Sequence, residues 1–502
     1  MFKKFHKILA ISLIVFSLTG GLLIFNLNDD LIKNFRPYYA KAYIEAAKYK
    51  LYSVKEENKI PYGNASGVPV LLYHGILSKP DSSNVSLDNF EKQMLALKKA
   101  GYQTVTIGDF IQFSKGQKSL PDKSFLLTFD DGRKDSYYPV NPILKALNYN
   151  AVIFLITDEV GSNGFYLSEK EMNQMIKSGH WEFQSHGKAD HGFIPIGPSG
   201  ETGHFLTNKS WLKEEKRFET DQEYLTRLEN DSKGSEDYLL SKFNIKAESF
   251  AYPLGDFGQN ETNFQSSKIY INQVESSNFT ISFYQTRPGE GQFLNYPDNN
   301  FKQKRIEVNS QWTGTDLLYF LESAREKPAS ISLQNTNKSQ GWLTSWGESR
   351  IINNTLLMKS NDKTEGSLTY LNGAYNWTDY SFRARGNWVE GNNIMLLARY
   401  QDDANYVVFN ISDHMVRIEQ VVNGKAEVLK EERQELNLSK EDIEIGFKVY
   451  KDNIECYLNN KLVISTNGLN PNLANGGVGF KTWDPQLNNS ELIINKFEVE
   501  KL

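Results

Sequence analysis

The chain has 502 residues, which is too long for one ordinary hydrophobic core, so we expect two or three domains. The net charge of -5 is spread along the sequence with no basic run beyond the N-terminus, which argues against a nucleic-acid partner. A single cysteine, Cys456, excludes an intrachain disulfide and a thiolate metal cluster, so any metal site must use His, Asp or Glu.

The N-terminus has the pattern of a membrane anchor. Lys3, Lys4 and Lys7 precede a mostly apolar stretch over residues 8–27, close to the roughly 20 residues that a transmembrane helix needs. The positive-inside rule places the short lysine-bearing end in the cytoplasm. A cleaved signal peptide is the competing interpretation, but no small-x-small cleavage site follows the apolar run. We therefore expect a single-pass cell-membrane anchor over residues 1–28, with the rest of the chain extracellular.

Residues 29–66 are polar and are interpreted as a stalk, after which strand and helix patterns alternate. Residues 68–73 form a short apolar run typical of a buried parallel strand. Ser168 and Glu171 make a capping box ahead of a helix that Gly179 ends. This order predicts an α/β domain with a (β/α)-barrel-like fold over residues 67–325. Further strand-like runs lie at 104–107, 124–129, 151–156, 181–185, 249–252, 281–285 and 305–308.

The pattern changes after Pro328. Between residues 443 and 449 every second residue is apolar, and residues 454–458 continue this alternation. Asn459 and Asn460 then supply a hairpin turn. Many short strands of this kind predict an antiparallel, all-β sandwich over residues 330–502.

Two adjacent carboxylates, Asp130 and Asp131, follow the predicted strand at 124–129 and precede Gly132. The carboxyl ends of strands are where functional groups gather in parallel α/β domains. Two close carboxylates repel each other when ionised unless a cation lies between them. The alternative is a helix N-cap with a second acid beside it.

Two histidines, His186 and His191, follow the strand at 181–185. Two imidazoles and one carboxylate form a known set of Zn²⁺ ligands and leave an open position for water. The alternative is a pair of surface-loop histidines. The Asp pair and the His pair at successive strand ends are more specific together than either is alone.

Four segments resemble the NodB-type polysaccharide deacetylases, carbohydrate esterase family 4. They are residues 72–74, 125–132, 179–191 and 249–255. The wide spacing of the two histidines and the Tyr-His pair after the first strand look most like the poly-N-acetylglucosamine deacetylases of biofilm-matrix systems. The resemblance covers about half of the chain, residues 67–310.

The resemblance implies that Asp131, His186 and His191 hold a divalent metal. Zn²⁺ is our first choice, with Co²⁺, Ni²⁺ or Fe²⁺ as alternatives. It also implies that Asp130 is the general base for a water whose pKa the ion lowers toward about 7.

The third motif of the family is similar to residues 249–255. The resemblance implies that the backbone N–H of Leu254 stabilises the oxyanion, and it makes Tyr252 and Pro253 candidate substrate contacts. Ala251 stands where the family carries an arginine that orients the catalytic aspartate.

The late Leu-x-His motif that supplies the family's general acid is absent from the sequence. Our candidate for the acid is therefore His74, as in the biofilm-matrix subgroup. The alternative role for His74 is a buried, hydrogen-bonded histidine that caps the first strand. His204 is the second candidate for the acid.

The C-terminal sandwich resembles the concanavalin-like jelly rolls of carbohydrate-active proteins. Trp342, Trp346 and Trp377 are candidates for stacking on sugar rings, and packing in the core is the alternative for each of them. The domain as a whole is interpreted either as a carbohydrate-binding module or as a structural unit.

These features predict metal-dependent N-deacetylation of an extracellular N-acetylhexosamine polysaccharide, poly-N-acetylglucosamine first, with release of acetate. The expected partners are that amino-sugar polymer, the membrane and the polysaccharide export or synthesis machinery. Peptidoglycan or chitin-like oligomers are alternative substrates, and a non-catalytic glycan-binding protein is an alternative function. A glycoside hydrolase fits adjacent aspartates poorly, because its two carboxyl groups lie about 5 Å or more apart.

Overall fold

The computed structural model describes residues 37–53, 64–260, 262–332, 341–433, 435–436 and 441–502. The predicted membrane anchor, residues 1–28, lies outside these ranges. Within them, no helix is both long enough and apolar enough to span a bilayer.

The first part of the described chain alternates strands with helices, as the sequence predicts. Its strands are β1 (Val70–Tyr73), β2 (Ile76–Leu77), β3 (Val85–Ser86), β4 (Gln103–Thr104), β5 (Ser124–Phe129), β6 (Ala151–Leu155), β7 (Trp181–Ser185), β8 (Phe193–Pro195), β9 (Thr202–His204), β10 (Trp211–Leu212), β11 (Arg217–Phe218), β12 (Ser249–Ala251), β13 (Ile281–Thr286) and β14 (Lys302–Glu307). Its helices are α1 (Pro37–Ser53), α2 (Leu87–Lys99), α3 (Ile107–Ser114), α4 (Asn141–Leu147), α5 (Glu169–Ser178), α6 (Asp221–Phe243), α7 (Ser267–Asn278) and α8 (Gly314–Ser323).

Parallel strands close into a barrel. The order β1-β14-β13-β12-β7-β6-β5 returns to its start because β5 also pairs with β1, while β4 flanks β5 outside the ring. Every residue of β1 and β5 is buried, which explains why these strands are continuous apolar runs. The predicted capping box of Ser168 and Glu171 begins α5, and Gly179 ends it in the left-handed conformation. The barrel-like prediction is therefore confirmed.

Helix α1 forms within the segment that the sequence analysis interprets as a stalk. Tyr39, Ala42, Ala46 and Tyr49 are buried and belong to the same hydrophobic core as the barrel helices. The ring of Tyr39 stacks on that of Tyr138, with centroids 5.5 Å apart. This part of the predicted stalk thus adds a packed layer to the domain.

The second part of the chain is all-β, as predicted. Its strands are β15 (Ser330–Ser332), β16 (Trp342–Trp346), β17 (Glu348–Ile352), β18 (Thr355–Lys359), β19 (Gly366–Leu371), β20 (Tyr380–Glu390), β21 (Asn393–Asp402), β22 (Asn405–Ser412), β23 (Met415–Val422), β24 (Lys425–Arg433), β25 (Ile443–Tyr450), β26 (Asn453–Leu458), β27 (Lys461–Thr466), β28 (Gly477–Trp483) and β29 (Glu491–Lys501). They form two antiparallel sheets, ordered β17-β18-β29-β20-β25-β26-β27 and β16-β19-β28-β21-β22-β23-β24. The rings of Phe382 and Phe480, one from each sheet, meet in the shared core at 5.3 Å.

Candidate metal and hydrolytic site

The first acidic motif lies where β5 leaves the barrel. The backbone N–H of Asp130 still donates to the carbonyl of Tyr73, at 3.2 Å, which continues the pairing with β1. Asp131 and Gly132 then take successive positive φ angles of 70° and 74°. A Cβ on Gly132 would lie 2.6 Å from Leu155, so this turn requires glycine. The turn allows two adjacent carboxylates to face the same rim of the barrel.

Asp131, His186 and His191 come together as the sequence analysis predicts. One ligand atom from each residue lies within 4.8 Å of the other two. Asp131 Oδ1 is 3.8 Å from His186 Nε2 and 3.6 Å from His191 Nε2. It is also buried without a hydrogen-bond partner among the described residues. A buried anionic oxygen facing two imidazoles fits a divalent cation, which would satisfy all three groups.

His186 is held in the form that can ligate a metal. Its Nδ1 lies 2.7 Å from the carbonyl of Ala251, and because a carbonyl only accepts, Nδ1 donates and Nε2 keeps its lone pair. Burial is the main cause that lowers the pKa of His186 to about 4. The imidazole is therefore neutral near pH 7.

The loop between the two histidines is fixed from behind by α6. The carboxylate of Asp231 accepts hydrogen bonds from the backbone N–H groups of Lys188 and Ala189, both at 2.8 Å. Gly187 has a φ of +79°, and a Cβ there would collide with the carboxylate of Asp190. These contacts position His191 beside Asp131.

Asp130 forms a buried ion pair with an arginine that was not among the predicted site residues. Arg305, on β14, donates to Asp130 Oδ1 at 2.5 Å and to Oδ2 at 2.7 Å. Burial by itself would raise the pKa of Asp130, but Arg305 and His186 outweigh it and lower the pKa to about 2. Oδ2 also lies 3.8 Å from His186 Nε2. An ionised acceptor thus stands next to the candidate metal ligands.

Arg305 takes the place of the arginine that the family carries at the position of Ala251. The orienting guanidinium comes from another strand of the ring, which the linear third motif does not contain. The sequence did hold a signal, because an arginine inside a strand of a closed barrel needs an acidic partner when it is buried.

His74, the candidate general acid, follows β1 directly and lies on the same side as Asp130. Its charge is one of the influences that lower the pKa of Asp130. Its Nδ1 is buried and has no hydrogen-bond partner within the described part of the chain. The second candidate, His204, contacts Asp256 instead, with Nδ1 2.6 Å from Oδ2.

The two candidate substrate contacts of the third motif lie below the surface. Tyr252 and Pro253 are both buried, and the ring of Tyr252 packs against Phe250 and Phe257. These side chains pack beneath the turn, and their role as substrate contacts stays a prediction. Leu254 is exposed and has a φ of +58°, so it is the residue that this turn presents.

The tryptophans proposed for sugar stacking fall into two groups. Trp342 and Trp377 are 7% and 5% exposed and belong to the sandwich core, so they match the alternative of core packing. They are buried because a large apolar ring gains most from leaving water. Trp346 is partly exposed and lies under Lys481, whose Nζ is 5.6 Å from the ring.

Residues 117–268 match the family described as polysaccharide deacetylase. It is similar to the poly-beta-1,6-N-acetyl-D-glucosamine N-deacetylase of Escherichia coli (strain K12), at 27% identity over 187 residues, covering 34% of this chain and 28% of that protein. It is also similar to the Staphylococcus aureus (strain MSSA476) protein of the same name, at 30% identity over 176 residues, covering 34% of this chain and 54% of that protein.

Among solved structures, a de-N-acetylase from Aggregatibacter actinomycetemcomitans aligns with a TM-score of 0.44 and 22% identity. The alignment covers 50% of this chain and 99% of that one.

Proposed function

We propose that this protein removes N-acetyl groups from an extracellular N-acetylhexosamine polysaccharide and releases acetate. Poly-β-1,6-N-acetyl-D-glucosamine is the first substrate choice, because both relatives described above are named for it. The observation that carries the proposal is the cluster of Asp131, His186 and His191 beside an ionised Asp130.

The residues present fit a divalent cation, with Zn²⁺ as the first choice for a set of two imidazoles and one carboxylate. Asp131, His186 and His191 would hold it, and it would supply Lewis acidity and make water easier to deprotonate. Asp130 then accepts the proton of the attacking water, while Arg305 keeps its carboxylate oriented. The backbone N–H of Leu254 stabilises the negative charge that develops on the carbonyl oxygen.

His74 donates a proton to the departing amine. It stands at the end of β1, next in space to the strand that bears Asp130, so both proton-transfer groups border one reaction centre. The unpartnered Nδ1 of His74 is consistent with a group that finds its partner in the substrate.

The test is acetate release from β-1,6-linked N-acetylglucosamine oligomers, with chitin and peptidoglycan fragments in parallel. We expect release from the β-1,6 series, loss after chelation and recovery on adding Zn²⁺. Release confined to chitin or peptidoglycan fragments would reassign the substrate. New reducing ends without acetate would indicate a glycosidase, and binding without release would indicate a glycan-binding protein.

We also propose that the enzyme works at the outer cell surface, tethered by residues 1–28. The support is the lysine-flanked apolar run in the sequence. Such a location would bring it close to a polysaccharide export or synthesis assembly. Protease treatment of intact cells should remove the deacetylase domain if it is outside, whereas protection until lysis would contradict this location.

A further inference from the structure

The hairpin of β8 and β9 follows the second candidate metal ligand almost at once. Only Gly192 separates His191 from Phe193, so the two Cα atoms are at most about 7 Å apart along the chain. Phe193 and His204 are direct partners across the hairpin. Phe193 is therefore near the candidate metal site along the chain, and His204 lies opposite it across the hairpin.

A hydrogen bond from His204 connects this hairpin to the turn at Leu254. His204 Nδ1 donates to Asp256 Oδ2 at 2.6 Å, and Asp256 lies two residues after Leu254. The Asp256 side chain is only 1% exposed. It also accepts from Gly258 N at 3.1 Å and from the hydroxyl of Thr207 at 3.2 Å. The imidazole is thus fixed between the metal-ligand loop and the turn that is expected to bind the oxyanion.

The fixed imidazole has one nitrogen left for a ligand. A carboxylate only accepts hydrogen bonds, so Nδ1 of His204 carries the hydrogen and Nε2 is available for another group. The His204 side chain is 33% exposed, so solvent or a ligand can reach it. Nε2 can accept a hydrogen bond from a hydroxyl group when the ring is neutral.

Phe193 offers the complementary apolar surface. It is 63% exposed, and its ring meets that of His204 edge-on, with centroids 5.5 Å apart at 64°. A pyranose ring has an apolar C–H face and a hydroxyl edge. An exposed aromatic face next to a fixed hydrogen-bonding nitrogen matches both of these surfaces.

We propose that Phe193 and His204 form a sugar subsite for the unit next to the one being deacetylated. Phe193 stacks on the pyranose face, His204 Nε2 bonds a hydroxyl, and Asp256 is the positioning residue for His204. This subsite rests on the proposed function for its substrate class, and it implies that the enzyme acts on polymers rather than single sugars.

The test is the Phe193→Ala variant of the zinc-loaded full chain, with a pentamer of β-1,6-linked N-acetylglucosamine. We expect KM to rise about 10-fold, with most of the loss in KM rather than kcat. Phe193→Tyr keeps the aromatic face and should restore KM to within about two-fold of the wild type. His204→Ala should raise KM by a smaller factor, about five-fold.

Phe218→Ala is the matched control. Phe218 is also an exposed phenylalanine on a short hairpin between β7 and α6, and its ring likewise meets a neighbour edge-on, Trp211 at 5.1 Å. The Phe218→Ala variant should leave kcat and KM unchanged. An equal effect of Phe218→Ala, or an unchanged KM in Phe193→Ala, would overturn the subsite.

A binding measurement separates this proposal from the proposed function. Pentamer affinity is measured calorimetrically in zinc-loaded Asp130→Asn protein, with and without Phe193→Ala. If the wild type releases no acetate but Phe193→Ala still weakens binding about 10-fold, the function is wrong and the subsite stands. If acetate is released but Phe193→Ala leaves the affinity unchanged, or if Asp130→Asn protein binds no pentamer, the subsite is wrong.

Discussion

In the barrel, residues that follow separate strands converge on one rim, whereas in the sandwich the large aromatic residues lie mostly in the core. Parallel strands all end at the same side of a barrel, so Asp130, His74 and His186 meet although the chain separates them widely. Neighbouring strands of the sandwich run in opposite directions, and their side chains alternate between core and solvent. A polar motif after a barrel strand therefore says more about function than a tryptophan in the sandwich.

The two regions also bury arginine differently. Arg305 in the barrel makes two hydrogen bonds to the carboxylate of Asp130. Arg399 in the sandwich is equally buried, but its guanidinium meets the backbone carbonyls of Leu473 and Lys451 at 3.4 and 3.3 Å. Its only contact with a carboxylate among the described residues is a single 3.5 Å ion pair with the exposed Asp379. The first guanidinium orients a reactive group, and the second supports loops of the fold.

The largest expected effect comes from Asp130→Asn. The amide cannot accept a proton, so acetate release should fall about 10³-fold, within the range of a general base. The three metal ligands are untouched, so bound zinc measured by elemental analysis should stay at one per chain. Asp237→Asn, on the exposed face of α6, serves as the control and should keep full activity. Full activity in Asp130→Asn would show that Asp130 is not the general base and that the barrel rim does not gather the reactive groups.

Arg305→Met sharpens the contrast between the two buried arginines. Removing the guanidinium leaves Asp130 buried without its charge partner, which should destabilise the fold by about 3–5 kcal/mol. Acetate release per folded molecule should fall about 100-fold, because the base loses its orientation. Arg305→Lys keeps the charge without the two-pronged geometry and should recover only part of the activity.

Arg399→Met is the matched variant in the sandwich. It should lower the free energy of unfolding by about 1–3 kcal/mol and leave kcat per folded molecule unchanged. Chemical denaturation followed by acetate assays at fixed folded fraction measures both quantities. An equal loss of kcat in the two variants would show that the arginines do not differ in role.

Much of the fold and of the candidate metal site could be predicted from the sequence, because short apolar runs and strand-end motifs are local signals. The barrel, the sandwich and the grouping of Asp131, His186 and His191 follow from such signals. Arg305 could not be assigned, since its partner is 175 positions away and only ring closure brings β14 near Asp130. The His204–Asp256 pair was missed for the same reason. Burial of Tyr252 could not be predicted either, because a motif does not state which way each side chain points.

A smaller effect concerns the pH dependence of barrel stability. Burial raises the pKa of Glu275, on α7, from 4.5 to about 8. Between these values the unfolded chain releases the proton while the folded chain keeps it, so stability is fully present below pH 4.5 and declines as the pH rises to about 8. We expect a loss on the order of 4–5 kcal/mol across this range.

Glu275→Gln should flatten that decline, because glutamine has no proton to lose. Burial also raises the pKa values of Glu91 and Glu182 to about 7, and these groups should leave a residual slope of the same sign. Denaturant titrations at pH 5 and pH 8 measure the change. A steeper decline in Glu275→Gln than in the wild type would contradict the assignment.

The smallest expected effect tests Trp346, a partly exposed tryptophan of the sandwich. Trp346→Ala should cost little stability, since the ring is already partly in water, whereas Trp342→Ala should cost about 3–5 kcal/mol because it opens a cavity in the core. If the sandwich binds glycan through Trp346, retention on immobilised poly-N-acetylglucosamine should weaken about three-fold in Trp346→Ala. Retention is measured in the zinc-free Asp130→Asn background, so that turnover does not consume the polymer. Unchanged retention in Trp346→Ala would contradict a sugar-binding role for this ring, and the contrast with the barrel rim would then extend to Trp346.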